Sequence, residues 1–352
     1  MKQVLFVLPD LGLGGSQRFV LNALKILVSS NKVKGHLFVA KRGASMNLES
    51  IHAPIYFGSG RTRSSLIQLV RVINEVKPDV VFTVLDRSAL LASIAKVVCL
   101  RHSFDLIVRK SNMPLFHNEL GFSLFINIGL KVVHFLAKEI VVQNSQMRDQ
   151  LISKDKKLVS KCKILHNPVE PELYELSKSG NVENYGDYFI ALGRVSDQKN
   201  YELLIEAFAS FNKSIQSDCN LLIIGNLDDD KYRICMNLCE RLNLSQRVFF
   251  LGEKANPFPY LKNSLALVSS SKYEGFPNAV IEALTLNKRV IVSDVLDIYK
   301  DILNKEEDMI CELSVTAFAE ALGKAYLEGS REKRGSIKAN FNKKLLSYFE
   351  QL

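Results

Sequence analysis

The chain has 352 residues, of which 47% are hydrophobic and 24% are charged. This composition excludes a largely disordered chain, and the length exceeds what one hydrophobic core usually supports, so we expect two domains. The six cysteines are too few and too irregularly spaced for a disulfide framework. The first apolar run, residues 4–8, is too short for a signal peptide, and the longest, residues 122–137, is too short to cross a bilayer. We therefore expect a cytoplasmic protein.

The net charge of +9 is concentrated in the first half of the chain. Residues 1–166 carry 24 lysines and arginines against 10 aspartates and glutamates, whereas residues 167–352 carry 22 against 27. A basic half attracts phosphates, nucleic acid or anionic lipid head groups. Nothing favours nucleic acid, because the sequence shows neither aromatic residues interleaved with the basic ones nor a nucleic-acid-binding module. Ordinary solvated lysines are the alternative to a phosphate or lipid surface.

Short apolar runs rich in strand-forming residues alternate with helical patterns, which predicts parallel sheets covered by helices. In the first half, the pattern predicts strand 4–8, helix 17–29, strand 34–40, helix 66–76, strand 80–84, helix 88–98, strand 106–108, helix 124–138 and strand 140–142. In the second half, it predicts strand 188–192, helix 201–211, strand 221–224, helix 231–242, strands 247–251 and 265–269, helix 278–286 and strand 289–293.

Two successive doubly wound units predict an α/β protein with two Rossmann-like domains that face a central cleft. We expect the domains at residues 1–166 and 188–335, with a polar, proline-bearing linker at 167–187 and a C-terminal helix within 336–352. Ligands of such sheets bind beyond the carboxyl ends of the strands, so the loops at those ends are the candidates for function.

The first of these loops contains Gly12, Gly14 and Gly15 and leads from the first strand into a helix. Glycines let the backbone approach a ligand closely, and the helix N-terminus offers amide groups to an anion. A dinucleotide-binding loop would have its last glycine where this chain has Gln17, so a nicotinamide site is not favoured. A plain tight turn is the alternative.

The loop after strand 188–192 contains Gly193, Arg194 and Lys199. Two cations at the entrance of a helix can neutralise a pyrophosphate from more than one direction. A solvated loop with ordinary surface cations is the alternative.

The loop after strand 265–269 contains Glu274, and Pro277 and Asn278 then open a helix that carries Glu282. The free amide groups of a helix N-terminus can receive a phosphate. Carboxylates accept hydrogen bonds from hydroxyl groups, as they do from riboses in dinucleotide-binding domains.

Together these motifs resemble glycosyltransferase family 4, the retaining nucleotide-sugar transferases of GT-B fold. The resemblance covers nearly the whole chain and rests on Gly14-Gly15, on His166-Asn167-Pro168-Val169, on Gly193-Arg194 with Gln198-Lys199-Asn200, and on Glu274 followed by Glu282. It implies the transfer of a hexose or N-acetylhexosamine from a nucleotide diphosphate sugar, with a UDP-sugar favoured. The implied acceptor is a glycan or lipid-linked glycan in bacterial polysaccharide or glycolipid synthesis, and neither a metal nor another cofactor is implied.

The resemblance also implies a role for each matching residue. Arg194 and Lys199 would bind the donor diphosphate as the glycosidic bond breaks, and Glu274 would hold hydroxyls of the donor sugar. The remaining donor contacts would come from Glu282 on the ribose, from the amides of Asn278, Ala279 and Val280 and the glycines Gly14, Gly15 and Gly193 near the phosphates, and from Gly252 and Lys254 beside the base. The N-terminal domain would bind the acceptor, with the C-terminal helix packed back on it.

Some expectations stay open at this point. Arg61, Arg63, Arg71, Lys131 and Lys138, with the apolar region 116–136, would place the N-terminal domain on the inner face of the cytoplasmic membrane. A soluble acceptor with incidental surface charge is the alternative. A nucleotide-sugar 2-epimerase of the same fold remains possible, as does a catalytically silent partner subunit, because the glycine loop usual in the family is missing after Asp294. Lys110 and Asn112 are further candidates for contact with the acceptor.

Overall fold

The computed structural model describes residues 1–12, 14–41, 48, 51–99, 101–111, 124–304, 306–329 and 340–352. Asn112, the first part of the apolar region 116–136 and the start of the segment 336–352 lie outside these residues. The described chain forms two compact units. Unit 1 comprises Met1–Pro171 and Asn340–Leu352, and unit 2 comprises Glu172–Ala339.

Unit 1 is built on a parallel sheet. Its strands are β1 (Lys2–Leu8), β2 (Val33–Val39), β3 (Ile55–Phe57), β4 (Val80–Val84), β5 (Asp105–Arg109), β6 (Glu139–Val142) and β7 (Cys162–Ile164). The helices between them are α1 (Gly15–Ser30), α2 (Leu66–Val76), α3 (Asp86–Val98), α4 (Leu124–Leu136) and α5 (Ser145–Lys154). The strands lie in the order β3-β2-β1-β4-β5-β6-β7. The central strands read as continuous apolar runs, as expected where helices cover both faces of a sheet.

Unit 2 repeats this design. Its strands are β8 (Tyr188–Leu192), β9 (Asn220–Ile224), β10 (Val248–Phe250), β11 (Ala266–Ser269), β12 (Arg289–Ser293) and β13 (Met309–Cys311), in the order β10-β9-β8-β11-β12-β13 and all parallel. Its helices are α6 (Leu173–Leu176), α7 (Tyr201–Ile215), α8 (Asp229–Arg241), α9 (Phe258–Asn263), α10 (Asn278–Thr285), α11 (Ile298–Ile302) and α12 (Val315–Glu328).

The last helix, α13 (Phe341–Gln351), belongs to unit 1 and packs against α1. The buried ring of Phe349 lies 5.5 Å from that of Phe6 on β1 and 5.4 Å from that of Phe82 on β4. The hydroxyl of Tyr348 donates a hydrogen bond of 2.7 Å to Glu139 at the start of β6. The end of the chain therefore completes the core of unit 1.

The structure confirms every strand and helix predicted from the sequence, with ends that differ by a few residues. The sequence pattern missed β3, β7 and β13, which are three-residue strands at the edges of the sheets with few fully buried residues. Such strands are too short to show a periodicity. Among the described helices, none has both the length and the apolar composition that crossing a bilayer requires.

Candidate active site

The loops after β8 and β11 lie side by side at the carboxyl edge of the sheet of unit 2. From β8 the chain runs outward to β9 and β10, then returns to β11 on the other side of β8. This reversal of strand order opens a crevice between the loops that follow the two strands, which is where open α/β sheets bind ligands. Residues 193–200 follow β8, and residues 270–277 follow β11.

Hydrogen bonds join these two loops along their backbones. The amide of Lys272 donates to the carbonyl of Gln198 at 2.8 Å, and the hydroxyl of Ser270 donates to the carbonyl of Lys199 at 2.8 Å. The amide of the Gln198 side chain donates to the carbonyl of Tyr273 at 2.9 Å. The side chains of both loops are therefore held in fixed positions relative to each other.

An ion pair lies where the two loops meet. The Lys199 Nζ atom is 2.6 Å from Glu274 Oε1, and the side chains are only 20% and 8% exposed. Glu274 also accepts hydrogen bonds from the Ser271 hydroxyl at 2.7 Å and from the Gln198 Nε2 at 3.2 Å. Such a buried carboxylate is tolerated because three donors replace the water it has lost.

The charge of Glu274 acts on two buried tyrosines. Burial, and secondly the charge of Glu274, raises the pKa of Tyr201 and of Tyr299, so both phenols stay protonated. The hydroxyl of Tyr201 donates to the carbonyl of Gly193 at 3.1 Å, which anchors the start of the β8 loop.

Glycines are required where the backbone passes closest to these groups. Gly193 has a φ of +144°, and a Cβ atom there would lie 2.6 Å from Lys199 Cε. A Cβ atom on Gly225, at the end of β9, would overlap the carbonyl oxygen of Gly193. A side chain on Gly193 would displace the lysine, and one on Gly225 would push the start of the β8 loop away from the end of β9.

Arg194, Gly252 and Lys254, which were also predicted for the donor site, lie in the same unit as this pair. Arg194 is exposed and forms no ion pair with any residue that the structure describes. Gly252 follows β10 and accepts a hydrogen bond from the amide of Gly225 at 3.0 Å, and Lys254 lies 6.0 Å from the ring of Tyr260.

Helix α10 begins directly after the β11 loop. Asn278, Ala279 and Val280 form its first turn, which contains no acidic residue, and the buried Glu282 lies in the second turn. The first amides of a helix have no partner within it and carry a partial positive charge. The amide of Asn278 donates to the carbonyl of Phe276 at 3.0 Å, so an anion would bind at the next two amides, those of Ala279 and Val280.

Gly14 and Gly15 lie in unit 1, at the start of α1. The Gln17 side chain donates to Asp10 at 2.9 Å, and the amide of Gly12 donates to the same carboxylate oxygen at 3.0 Å. A Cβ atom on Gly14 would lie 2.7 Å from Gln17 Oε1. The glutamine that replaces the third glycine of a dinucleotide-binding loop therefore braces this loop from inside.

The sequence analysis identified Lys199, Glu274 and Gly193 but missed the roles of Ser270 and Ser271, and it did not predict what Gln198 bonds to. Three consecutive serines at the end of a buried apolar strand are the sequence signal that was available. Hydroxyls at the end of a buried strand need partners, and here the neighbouring loop supplies them.

Comparisons with known proteins show what this chain resembles. The family described as glycosyl transferases group 1 matches residues 175–344. An uncharacterized glycosyltransferase of Methanocaldococcus jannaschii is 33% identical over 241 residues, which cover 64% of this chain and 58% of the archaeal protein. The N-acetylgalactosamine-N,N'-diacetylbacillosaminyl-diphospho-undecaprenol 4-alpha-N-acetylgalactosaminyltransferase of Campylobacter jejuni is 23% identical over 308 residues, which cover 84% of this chain and 81% of that enzyme.

Among solved structures, HepE of Anabaena in complex with UDP and glucose has a TM-score of 0.76 and 16% identity, and the match covers 100% of this chain and 95% of HepE. This likeness and the two parallel sheets flanked by helices define the fold as GT-B. Over residues 175–344 the chain is similar to the glycosyl transferases of group 1, and the relatives named here are glycosyltransferases.

Proposed function

We propose that this protein is a retaining glycosyltransferase that moves a hexose or N-acetylhexosamine from a nucleotide diphosphate sugar to a glycan or lipid-linked glycan. The observation that carries the proposal is the Lys199–Glu274 pair, held between two loops at the point where the strand order of unit 2 reverses. Such a site offers a cation to a phosphate and a carboxylate to a sugar hydroxyl within a few ångströms of each other.

Lys199 can bind the donor while it keeps its partner. An ammonium group has three hydrogens, and Glu274 needs only one of them. The exposed Arg194 and the first amides of α10 supply further positive charge in the same unit. Glu282 would bind the ribose, and Gly252 and Lys254 would lie beside the base. We favour UDP as the nucleotide, and HepE, which has this fold, was crystallised with UDP and glucose.

The proposed chemistry relies on the leaving group. As the bond between sugar and diphosphate breaks, negative charge grows on the diphosphate, and Arg194 and Lys199 stabilise it. The departing oxygen takes the proton of the acceptor hydroxyl, which attacks from the same face of the sugar, so the configuration is retained. No protein nucleophile is needed, and the protein cations take the role that a metal ion would otherwise have.

We propose a lipid-linked saccharide as acceptor, in polysaccharide or glycolipid synthesis. The name of the Campylobacter relative specifies a saccharide carried on diphospho-undecaprenol. Such an acceptor is embedded in a membrane, so the protein would work at the inner face of the cytoplasmic membrane.

The surface of unit 1 supports this location. Helices α3 and α4 lead from one parallel strand to the next, so they run in the same direction, and Gly129 of α4 packs against Leu90 of α3. Near the ends of these helices, Val97 and Phe135 are exposed, and Lys131 and Lys138 are exposed cations. Apolar groups beside long cationic side chains bind anionic membranes.

The alternative of a 2-epimerase is less well supported. We expect such an enzyme to need histidine acid–base groups beside the nucleotide sugar, and all six histidines lie at or before position 166. Unit 2 therefore has no histidine to offer, whereas the transferase proposed above requires none.

Thermal unfolding with a panel of nucleotide diphosphates and nucleotide sugars, with and without magnesium, tests the donor site. A ligand that binds only the folded state stabilises it and so raises Tm. At a ligand concentration of a hundred times Kd, the stabilisation is about 2.7 kcal/mol. We expect a selective rise with UDP or a UDP-sugar, independent of magnesium and lost in Lys199→Met and Arg194→Met. Lys213→Met, a cation on α7, is the control. No rise with any nucleotide in the wild-type protein would refute the proposal.

Membrane association has a separate test. We expect cosedimentation with vesicles that contain phosphatidylglycerol but not with pure phosphatidylcholine, weakened by salt and by Phe135→Glu. Equal binding of wild type and Phe135→Glu would show that α3 and α4 do not form the contact.

A further inference from the structure

Unit 1 has a second group of polar side chains, two of them buried and two half-buried, which the proposed donor chemistry does not use. Asp86 begins α3 just after β4, Arg109 ends β5 and Lys110 follows it, and Gln143 follows β6. All four lie at the carboxyl edge of the sheet, the edge at which α/β sheets bind ligands. The residue before Asp86, Leu85, has a φ of +70°, a conformation that side-chain-bearing residues rarely adopt and that recurs at functional sites.

The group presents one cation and one carboxylate together. Lys110 Nζ lies 2.6 Å from Asp86 Oδ1, and the Asp86 side chain remains one-third exposed, at 34%. The pair follows two neighbouring strands, next to the reversal of strand order between β1 and β4. It is therefore both fixed in place and accessible.

Arg109, the residue before Lys110, bonds to the residue after it. Its guanidinium is fully buried, stacks 4.2 Å from the centre of the Phe19 ring and pairs with no carboxylate among the described residues. It donates to the hydroxyl of Ser111 at 2.9 Å and to the side-chain oxygen of Asn167, and its Nε atom has no partner. Gln143 donates to the carbonyl of Ser111 at 2.7 Å, so the residue after Lys110 is held from two sides.

A buried guanidinium without a carboxylate is costly for folding, because burial disfavours its charge. The same burial lowers the pKa of Arg109 to about 9. Arg109 holds the Lys110–Ser111 segment rigidly in return, because residues that bind a substrate must be held in place by buried neighbours.

We propose that the Asp86–Lys110 pair binds hydroxyl groups of the acceptor sugar, with Arg109 as a positioning residue. The inference rests on the proposed function, for which it names the acceptor contacts. A sugar hydroxyl both donates and accepts, so it can bridge a carboxylate and an ammonium. A phosphate fits less well, because Asp86 already neutralises Lys110 and repels a second anion at that distance.

The test measures the acceptor KM for a panel of octyl glycosides and for the same sugars carried on farnesyl diphosphate. Only acceptors that the wild-type protein glycosylates are used. We expect Asp86→Asn and Lys110→Met to raise the acceptor KM roughly tenfold to a hundredfold, the usual worth of a hydrogen bond to a charged group. The increase should be equal for neutral and diphosphate-linked acceptors. The rise in Tm caused by UDP should not change, which shows that the variants fold and retain their donor site.

The matched control is Asp105→Asn, because Asp105 pairs with a lysine at 2.7 Å, as Asp86 does, but lies at the opposite, amino edge of β5. This variant should keep the wild-type acceptor KM. Arg109→Lys retains the charge but cannot bridge Ser111 and Asn167, so we expect a higher acceptor KM and an unchanged donor KM. A lower Tm without any change in KM would show that Arg109 is only structural.

Three results would overturn the inference. An acceptor KM unchanged in Asp86→Asn and Lys110→Met would show that the pair does not bind the acceptor. An increase confined to diphosphate-linked acceptors, or a wild-type protein that uses only those, would show that this side of the protein recognises phosphate. A wild-type protein that neither binds a nucleotide nor transfers a sugar would refute the proposed function itself, and the inference with it.

Discussion

The ion pair between Lys199 and Glu274 can be tested by its contribution to stability, without any substrate. The two charges are 2.6 Å apart and largely buried. Coulomb's law gives an attraction of about 2 kcal/mol at the dielectric constant of water and about 6 kcal/mol at an effective value of 20. The desolvation of both groups offsets much of this attraction, so we expect a net coupling of about 2 kcal/mol.

The two single variants should differ in a way that the geometry predicts. Lys199→Met leaves a carboxylate that is only 8% exposed with two neutral donors, Ser271 and Gln198, and should destabilise unit 2 by about 3 kcal/mol. Glu274→Gln leaves the more exposed ammonium, which can turn toward water, and should cost about 1 kcal/mol. The double variant should cost about 2 kcal/mol less than the sum of the two.

Urea unfolding followed by circular dichroism is the appropriate assay, because the chain has no tryptophan. With a slope of about 1–3 kcal/mol per molar urea, 1 kcal/mol moves the unfolding midpoint by about 0.3–1 M, so the differences are measurable. The control cycle uses Asp218 and Arg247, a pair 3.0 Å apart in which the aspartate is 98% exposed. Exposed pairs of this kind couple by less than about 1 kcal/mol. Equal coupling in both cycles, or a larger loss in Glu274→Gln than in Lys199→Met, would refute the argument.

Three further predictions concern the glycine, the C-terminal helix and a buried histidine. Gly193→Ala places a Cβ atom against Lys199, so we expect a loss of about 1–3 kcal/mol and of the Tm rise with UDP. Phe349→Ala should destabilise unit 1 by about 3–5 kcal/mol in urea unfolding, because the ring is fully buried against two others. Unit 1 should lose stability when the pH falls from 7.5 to 5.5, and this loss should be about 1 kcal/mol smaller in His134→Gln than in the wild-type protein.

The direction of the histidine effect follows from its environment. Burial, and secondly Lys110, lowers the pKa of His134 from 6.5 to about 4. Between pH 6.5 and pH 4 the unfolded chain binds the proton more readily than the folded one, so stability falls as the pH falls through this window. An identical pH dependence in His134→Gln would contradict the assignment.

The other two predictions have their own controls. Phe135→Ala removes a ring that is 80% exposed and should change stability by less than about 0.5 kcal/mol. If it costs as much as Phe349→Ala, the assay does not report on the core. A Gly193→Ala protein with unchanged Tm and UDP response would show that the β8 loop has room for a side chain.

Local sequence was sufficient to predict the fold class and much of the candidate donor site. The alternation of apolar runs with helical patterns specified the two parallel sheets, because strands buried on both faces must be apolar throughout. Gly193, Lys199 and Glu274 could be found because glycine, cation and carboxylate stand in loops directly after strands, where ligands bind. Their actual contacts with the proposed donor remain predictions.

The remaining features depend on residues that are distant in the sequence. Nothing near Arg109 in the chain reveals that it stacks on Phe19 and bonds to Asn167, and an arginine at the end of a strand is ordinarily exposed. In the same way, the bracing of Glu274 by Gln198 joins residues 76 positions apart. The sequence by itself determined where the strands, the helices and the charged loops lie. Only the tertiary structure decided which polar groups are buried together, because strand order brings those loops into contact and burial makes each of their hydrogen bonds necessary.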